Sequence, residues 1–221
     1  RMASLQKIDL RNNQIEDISP LAELTNLTEL NLSINRIDNI SWLSDLKNLK
    51  NLLLHQNEID DIMALNNLTE LESLNLSGNL VDDVSALAGL VNLSYLAVDE
   101  NAVSDITPLS SLSELDHLSL SYNEISDISS IAKLDKLTDL YINNNNIGDL
   151  SVNLQMPDLQ YLELNNNEIV DLTAFSELFK LKRLYLSGNR INDITPLSGL
   201  SGVYHLWLSG NDISNIPALD M

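Results

Sequence analysis

The sequence predicts a solenoid of stacked coils, with a parallel β-sheet along its concave side, 3₁₀ turns and loops along its convex side, and a right-handed superhelical path. Three observations predict it. Asn stands at positions 13, 35, 57, 79, 101, 123, 145, 167, 189 and 211, a 22-residue spacing without insertion or deletion. Apolar residues sit three and five positions before each Asn, as in Leu30-Asn31-Leu32 and Leu184-Tyr185-Leu186, and an Ile or Val follows two positions after it, from Ile15 to Ile213. Further apolar columns, such as Leu21, Leu24 and Leu27 or Leu109, Leu112 and Leu115, recur in the stretch between.

Each element follows from one part of the repeat. In Leu74-Asn75-Leu76 the alternation has period two, so the Leu side chains point inward and Asn75 outward. Every coil thus contributes one short strand, and successive strands stack at ~4.8 Å. No coil buries its apolar side alone, so stability is shared between neighbours. The recurring Asn is a structural residue: its amide can bond the backbone of its own and adjacent coils and satisfy groups otherwise orphaned. The return from Asn13 to the strand near Thr28 is too short for a full α-helix, which points to 3₁₀ turns. Asp recurs four residues after the Asn, at 17, 61, 83, 105, 127, 149, 171 and 193, where its carboxylate can take turn N–H groups as an N-cap does. Pro20, Pro108 and Pro196 suit such turns because they lack a donor. The seventh coil is expected to be irregular: Asn153 replaces the column residue equivalent to Leu21, Met156 and Pro157 follow, and Leu154 is placed to take over the core position.

Composition narrows the function. A net charge of −20, from 12 Lys+Arg against 32 Asp+Glu, supplies no basic stripe for nucleic acid and disfavours anionic membranes. Without Cys there is no disulfide framework or thiolate metal site. No apolar run approaches the ~20 residues of a membrane span, and because Arg1-Met2-Ala3-Ser4 runs directly into repeat sequence, no signal peptide is expected in it.

The pattern Leu-x-x-Leu-x-Leu-x-x-Asn-x-Ile is that of the leucine-rich-repeat solenoid, of the α/β horseshoe type. The turns Asp105-Ile106-Thr107-Pro108-Leu109 and Asp193-Ile194-Thr195-Pro196-Leu197 make the 22-residue unit resemble the internalin repeat. The resemblance covers residues 1–221 as a single domain of about ten coils, with the family's helical N-terminal cap and following immunoglobulin-like region absent or truncated. It implies a bacterial surface or secreted protein that binds a protein receptor on a host or neighbouring cell. Two alternatives stay open: an intracellular adaptor similar to the leucine-rich-repeat regulatory subunits of protein phosphatases, located in the cytoplasm, and a glycan-binding module.

The residues that the repeat does not dictate carry the recognition reading. Outward positions fall six, four and two residues before each Asn, and place Tyr95, His117, Tyr141, Tyr161, Glu163, Arg183, Tyr185, His205 and Trp207 on the concave face as candidate partner-binding residues. Tyr122 and Tyr204 lie at its margins. All six Tyr and all three His, His55 included, are assigned to strand positions free of the consensus. Aromatic and Arg side chains dominate interface hot spots, and an exposed aromatic strip on a rigid sheet is hard to justify by folding. Tyr141, Tyr185 and Trp207, with Tyr161 and Arg183 beside them, put the expected hot spot in the C-terminal half. His117, between Tyr95 and Asp139, is the one pairing with an acid–base reading, and a weak one. No nucleophile with a base, phosphate loop or metal-ligand cluster is present, so neither an enzyme nor a cofactor is expected. Glu16, Asp17, Asp38, Asp60, Asp61, Asp82 and Asp83 crowd the convex entry of the first four coils. Calcium could relieve their repulsion, but solvated surface charge is the stronger reading.

Overall fold

The computed structural model describes residues 2, 4–148, 150 and 153–216. Ten three-residue strands form one parallel sheet in chain order. They are β1 Lys7–Asp9, β2 Glu29–Asn31, β3 Asn51–Leu53, β4 Ser73–Asn75 and β5 Tyr95–Ala97. Then come β6 His117–Ser119, β7 Asp139–Tyr141, β8 Tyr161–Glu163, β9 Arg183–Tyr185 and β10 His205–Trp207. Each residue pairs with the one 22 positions on, so Tyr95 faces His117 and Tyr185 faces Trp207. That register is the sequence period itself, and it turns every column of the repeat into a line across the sheet.

The middle residue of each strand points inward. Leu52, Leu74, Leu96, Leu118, Leu140, Leu162 and Leu184 are wholly buried, as are the residues two positions later in the chain, from Leu54 to Leu186. The Ile/Val column after the Asn and the Leu columns of the return segment close the core from the other side, and all belong to one continuous cluster. Each fully buried Leu contributes about 2 kcal/mol of transfer free energy, and most of that contact is with the coils above and below.

The Asn column seals the turn as expected. In the fifth and sixth coils, for example, Asn123 Nδ2 donates to Val98 O at 2.9 Å and Leu120 O at 3.1 Å, while its Oδ1 accepts Val103 N at 2.9 Å. Each amide therefore joins its own coil to the preceding one. The Asn at positions 57, 79, 123, 145, 167 and 189 are buried.

All helical elements among the described residues are 3₁₀ turns, such as Ser19–Leu21, Ser41–Leu43 and Thr107–Ser111. Pro20, Pro108 and Pro196 occupy the second position of their turns, within the first turn, where the missing donor costs nothing. The Asp column acts one residue earlier than a conventional N-cap. Ile18 holds the cap position without a side-chain bond, and Asp17 Oδ1 accepts Ser19 N at 2.8 Å in an Asx turn. Asp61, Asp83, Asp105, Asp127, Asp171 and Asp193 do the same, and Asn39 substitutes in the second coil. The Ser19 backbone N–H holds the Asp17 carboxyl below its usual range, and the Thr107 and Thr195 hydroxyls do so for Asp105 and Asp193. Asp149 lies outside the described residues, as do Arg1 and Ala3. In the seventh coil no 3₁₀ turn occurs among the described residues between β7 and β8; Asn153 is exposed while Leu154 and Met156 fill the core.

The residue before each ladder Asn, from Asn12 to Gly210, has positive φ. Asn or Gly occupies six of these sites, at positions 12, 144 and 166 and at 78, 188 and 210, because they tolerate the left-handed region. Ile34 does not suit it: a β-branched residue at φ 58 is strained, and its exposed side chain gains little packing in return. Ile34→Gly should therefore raise stability by about 0.5–1 kcal/mol, read as a higher urea midpoint at unchanged slope.

Candidate protein-interaction surface

The first and third residues of each strand project from the concave face, so two side-chain columns run across it at strand spacing. The first column reads Tyr95, His117, Asp139, Tyr161, Arg183 and His205 from β5 to β10. The second reads Ala97, Ser119, Tyr141, Glu163, Tyr185 and Trp207. All nine candidate residues lie on this face and none is buried; Trp207 is 58% exposed. Ala97, with the smallest side chain there, is covered despite its outward position.

Register places these residues side by side, and side-chain geometry divides them into two clusters. In the first, the Tyr95 and His117 rings stack with centroids 4.6 Å apart and 12° between planes, and His117 meets Tyr141 at 5.2 Å. Stacking explains why His117 is held half-buried between phenols. It forms no side-chain hydrogen bond with Asp139 among those seen, so the acid–base pairing has no geometry behind it. Asp139 instead accepts the Thr138 hydroxyl at 2.5 Å and the Tyr141 hydroxyl at 3.3 Å. Burial, reinforced by the Asp139 carboxylate, pushes the Tyr141 phenol up to about 12. Because the folded value lies above the ordinary one of 10.0, this contribution to stability is complete below the ordinary value and is lost as pH rises from there to about 12. Ultraviolet titration should show Tyr141 ionising late, with the Tyr95 and Tyr161 phenols also raised above the ordinary value. Asp139→Asn should lower its pKa without restoring the ordinary value, since burial remains.

The second cluster lies in the last three coils. Tyr185 and Trp207 meet edge to face at 5.0 Å, and Tyr204 meets His205 at the same distance. The Arg183 guanidinium lies 5.0 Å from the Tyr161 ring centre and 5.9 Å from that of Tyr204, within cation–π range. Arg183 donates to the Tyr204 oxygen, which lowers the Tyr204 phenol, and the Tyr161 hydroxyl donates to the same oxygen, which raises its own. Tyr204 stands one residue before β10 and belongs to this cluster as fully as the strand residues. Glu163 sits between the clusters and accepts Asn143 Nδ2 at 2.8 Å.

Three assignments to strand positions are corrected. Tyr122 occupies the left-handed turn, φ 59, and is exposed there. His55 follows β3, and Tyr204 precedes β10. The His55 imidazole is pulled down by burial and by Arg11. Below the third strand residue runs a polar line that composition did not reveal. Asp99 accepts the hydroxyls of Ser77 at 3.2 Å and Ser119 at 2.6 Å, and Ser121 N at 2.8 Å. Asn143 accepts Asn165 N and Nδ2, both at 2.9 Å. Adjacent Asn and Ser in this column were the available signal.

Elsewhere, a hollow of about 710 Å³ on the convex side is lined by Asp38, Asp60, Asp61 and Met63 among others. Among the described residues, no group of three or more His, Asp or Glu is arranged to hold a metal ion, and no helix is long and apolar enough to cross a membrane. Exposed Trp42, Met63 and Phe179 lie off the concave face.

The sequence matches the family described as Leucine Rich repeats (2 copies) over residues 3–47, 47–89, 113–154 and 180–220, and that described as Leucine rich repeat over 151–191. No curated protein matches it. Among solved structures, the chain is similar to an internalin (inlF) from Listeria monocytogenes, at 37% identity and a TM-score of 0.78, covering 95% of this chain and 68% of that one. It is also similar to internalin C2 (inlC2) from the same organism, at 28% identity and 0.73, covering 92% and 80%. A TDR receptor aligns at 25% identity and 0.84, covering 96% of this chain and 40% of the receptor.

Proposed function

From a chain that belongs to the leucine-rich-repeat family, and within it is an internalin-like domain, we propose a protein-binding module that grips its partner with the C-terminal half of the concave sheet. The observation that carries the proposal is the packed group of Tyr161, Arg183, Tyr185, Tyr204 and Trp207, held on the sheet outside the buried core. Rigid, preorganised aromatics with one or two torsions lose little entropy on binding and bring large apolar area to a contact. The strand ladder beneath fixes their spacing.

The resemblance to internalins supports a bacterial surface or secreted protein, with a receptor on a host or neighbouring cell as partner. The acidic balance of the chain suits such a protein partner better than nucleic acid. No catalytic role or cofactor is assigned, and the cluster of paired hydroxyls and guanidinium serves recognition. The test is a panel of recombinant receptor ectodomains, alongside a glycan array and a phosphatase catalytic subunit. Saturable binding to an ectodomain, competed by excess unlabelled domain, is the expected result. Binding confined to glycans or to the phosphatase would replace the proposal with the corresponding alternative.

A further inference from the structure

Arg183 differs from every other cation described. The remaining described Lys and Arg are exposed, whereas Arg183 is half-buried. Lys7, Arg36, Lys50, Lys136, Lys180 and Arg190 each pair with a carboxylate on an adjacent coil. Among the described residues no carboxylate pairs with Arg183, although acids outnumber bases by 32 to 12 in the sequence, and the other cations without such a pair, Arg11, Lys47, Lys133 and Lys182, are exposed to water. The carboxylates nearest in the repeat are held elsewhere: Glu163 by Asn143, and Asp139 by Thr138 and Tyr141. Its Nε is covered and has no acceptor. Two phenol rings lie within cation–π range of the guanidinium, and Tyr204 uses part of its donor set. A partly desolvated, orientated and unpaired guanidinium is an incomplete ion pair, and a planar carboxylate matches its fork geometry.

We infer that Arg183, clamped between Tyr161 and Tyr204, receives an Asp or Glu side chain that the protein partner brings to the concave face. The inference rests on the proposed function and adds the chemistry of the partner's central contact. A side chain from a folded surface suits the site because the guanidinium lies on an open sheet flanked by Tyr185, His205 and Trp207. The charge pattern also fixes the direction in which the partner lies. Asp99, Asp139 and Glu163 make the middle of the sheet negative, while Arg183 marks a positive point toward its C-terminal end. A partner therefore presents its acidic group over β9 and its neutral or basic surface over β5 to β8.

The experiment pans a naive displayed peptide library on the wild-type domain, with the Tyr185→Ala/Trp207→Ala variant as counter-selection. The peptides recovered are expected to carry Asp or Glu at a recurring position. Replacing that residue by its amide, or Arg183 by Gln, should each weaken binding about 10- to 100-fold, and the double change should be non-additive. Arg183→Lys should recover only part of the loss, because it keeps the charge and not the fork. Circular dichroism and melting of each variant confirm that the solenoid is intact. Patch-dependent peptides that bind Arg183→Gln as tightly as wild type would overturn the inference and leave the proposed function standing. Absence of any patch-dependent peptide would overturn both. Binding of free N-acetylneuraminic acid that requires Arg183, without acid-dependent peptides, would overturn the protein carboxylate in favour of an acidic sugar.

Discussion

Asn123→Ala is expected to destabilise the solenoid by about 3 kcal/mol, a large fraction of the stability of a typical domain. Its amide is the sole acceptor seen for Val103 N, at 2.9 Å, and Val103 is wholly buried. An orphaned buried donor costs about 1–3 kcal/mol. Three carbonyls also lose a bond, although each keeps another donor: Val98 O from Asn101 at 3.1 Å, Leu120 O from Asn145 at 3.0 Å, and Ser121 O from Glu100 N at 2.9 Å. Because each carbonyl keeps a donor, the lost bonds together add about 1 kcal/mol, and with about 2 kcal/mol for the orphaned donor the sum comes to the expected figure. No neighbouring group replaces the amide, since every coil uses its own. Asn13→Ala provides the internal control. Asn13 is exposed and, among the described residues, its side chain donates to Leu10 O and Arg11 O alone, so its loss should cost less than about 1 kcal/mol. Urea unfolding of the two variants should show the contrast. Equal losses would mean that the buried ladder contributes nothing beyond local turn bonds.

Tyr185→Ala with Trp207→Ala should reduce affinity for the partner by about 2–4 kcal/mol while changing stability by less than about 0.5 kcal/mol. The rings contact each other at 5.0 Å, so each shields and orientates the other, and single changes should account for less than the pair. Stability should be spared because neither ring enters the core, and Leu184 and Leu206 carry the inward positions of the same strands. A calorimetric titration and a thermal melt on the same sample separate the two effects. A large fall in melting temperature would mark these residues as structural.

Most of the scaffold was legible because its period is written in residue identity. An Asn every 22 positions fixes register, and the Leu-x-Leu alternation fixes which side chains face inward, so the ten strands and the concave columns follow directly. The displaced core position in the seventh coil was equally readable, since Asn153 breaks an apolar column and Leu154 is the nearest substitute. What escaped depends on side-chain direction and backbone sign. Tyr122 looked like a strand residue until its left-handed conformation placed it in the turn, although Gly78, Gly188 and Gly210 in its column were the clue. Tyr204 looked marginal because it lies outside β10, yet its ring and hydroxyl reach back to Arg183. The same limit hid the division of the aromatics into two clusters, which Glu163 and its bond to Asn143 separate.

The proposed recognition resides in side chains left free by the repeat on one face of a stiff sheet. Hydroxyl-radical footprinting of the domain bound to its partner tests this most directly, because exposed aromatics occur on several surfaces. Protection is expected at Tyr161, Tyr185, Tyr204 and Trp207, with Trp42, Met63 and Phe179 oxidised as in the free domain. Protection of Trp42 and Phe179, with Tyr185 and Trp207 left reactive, would contradict it.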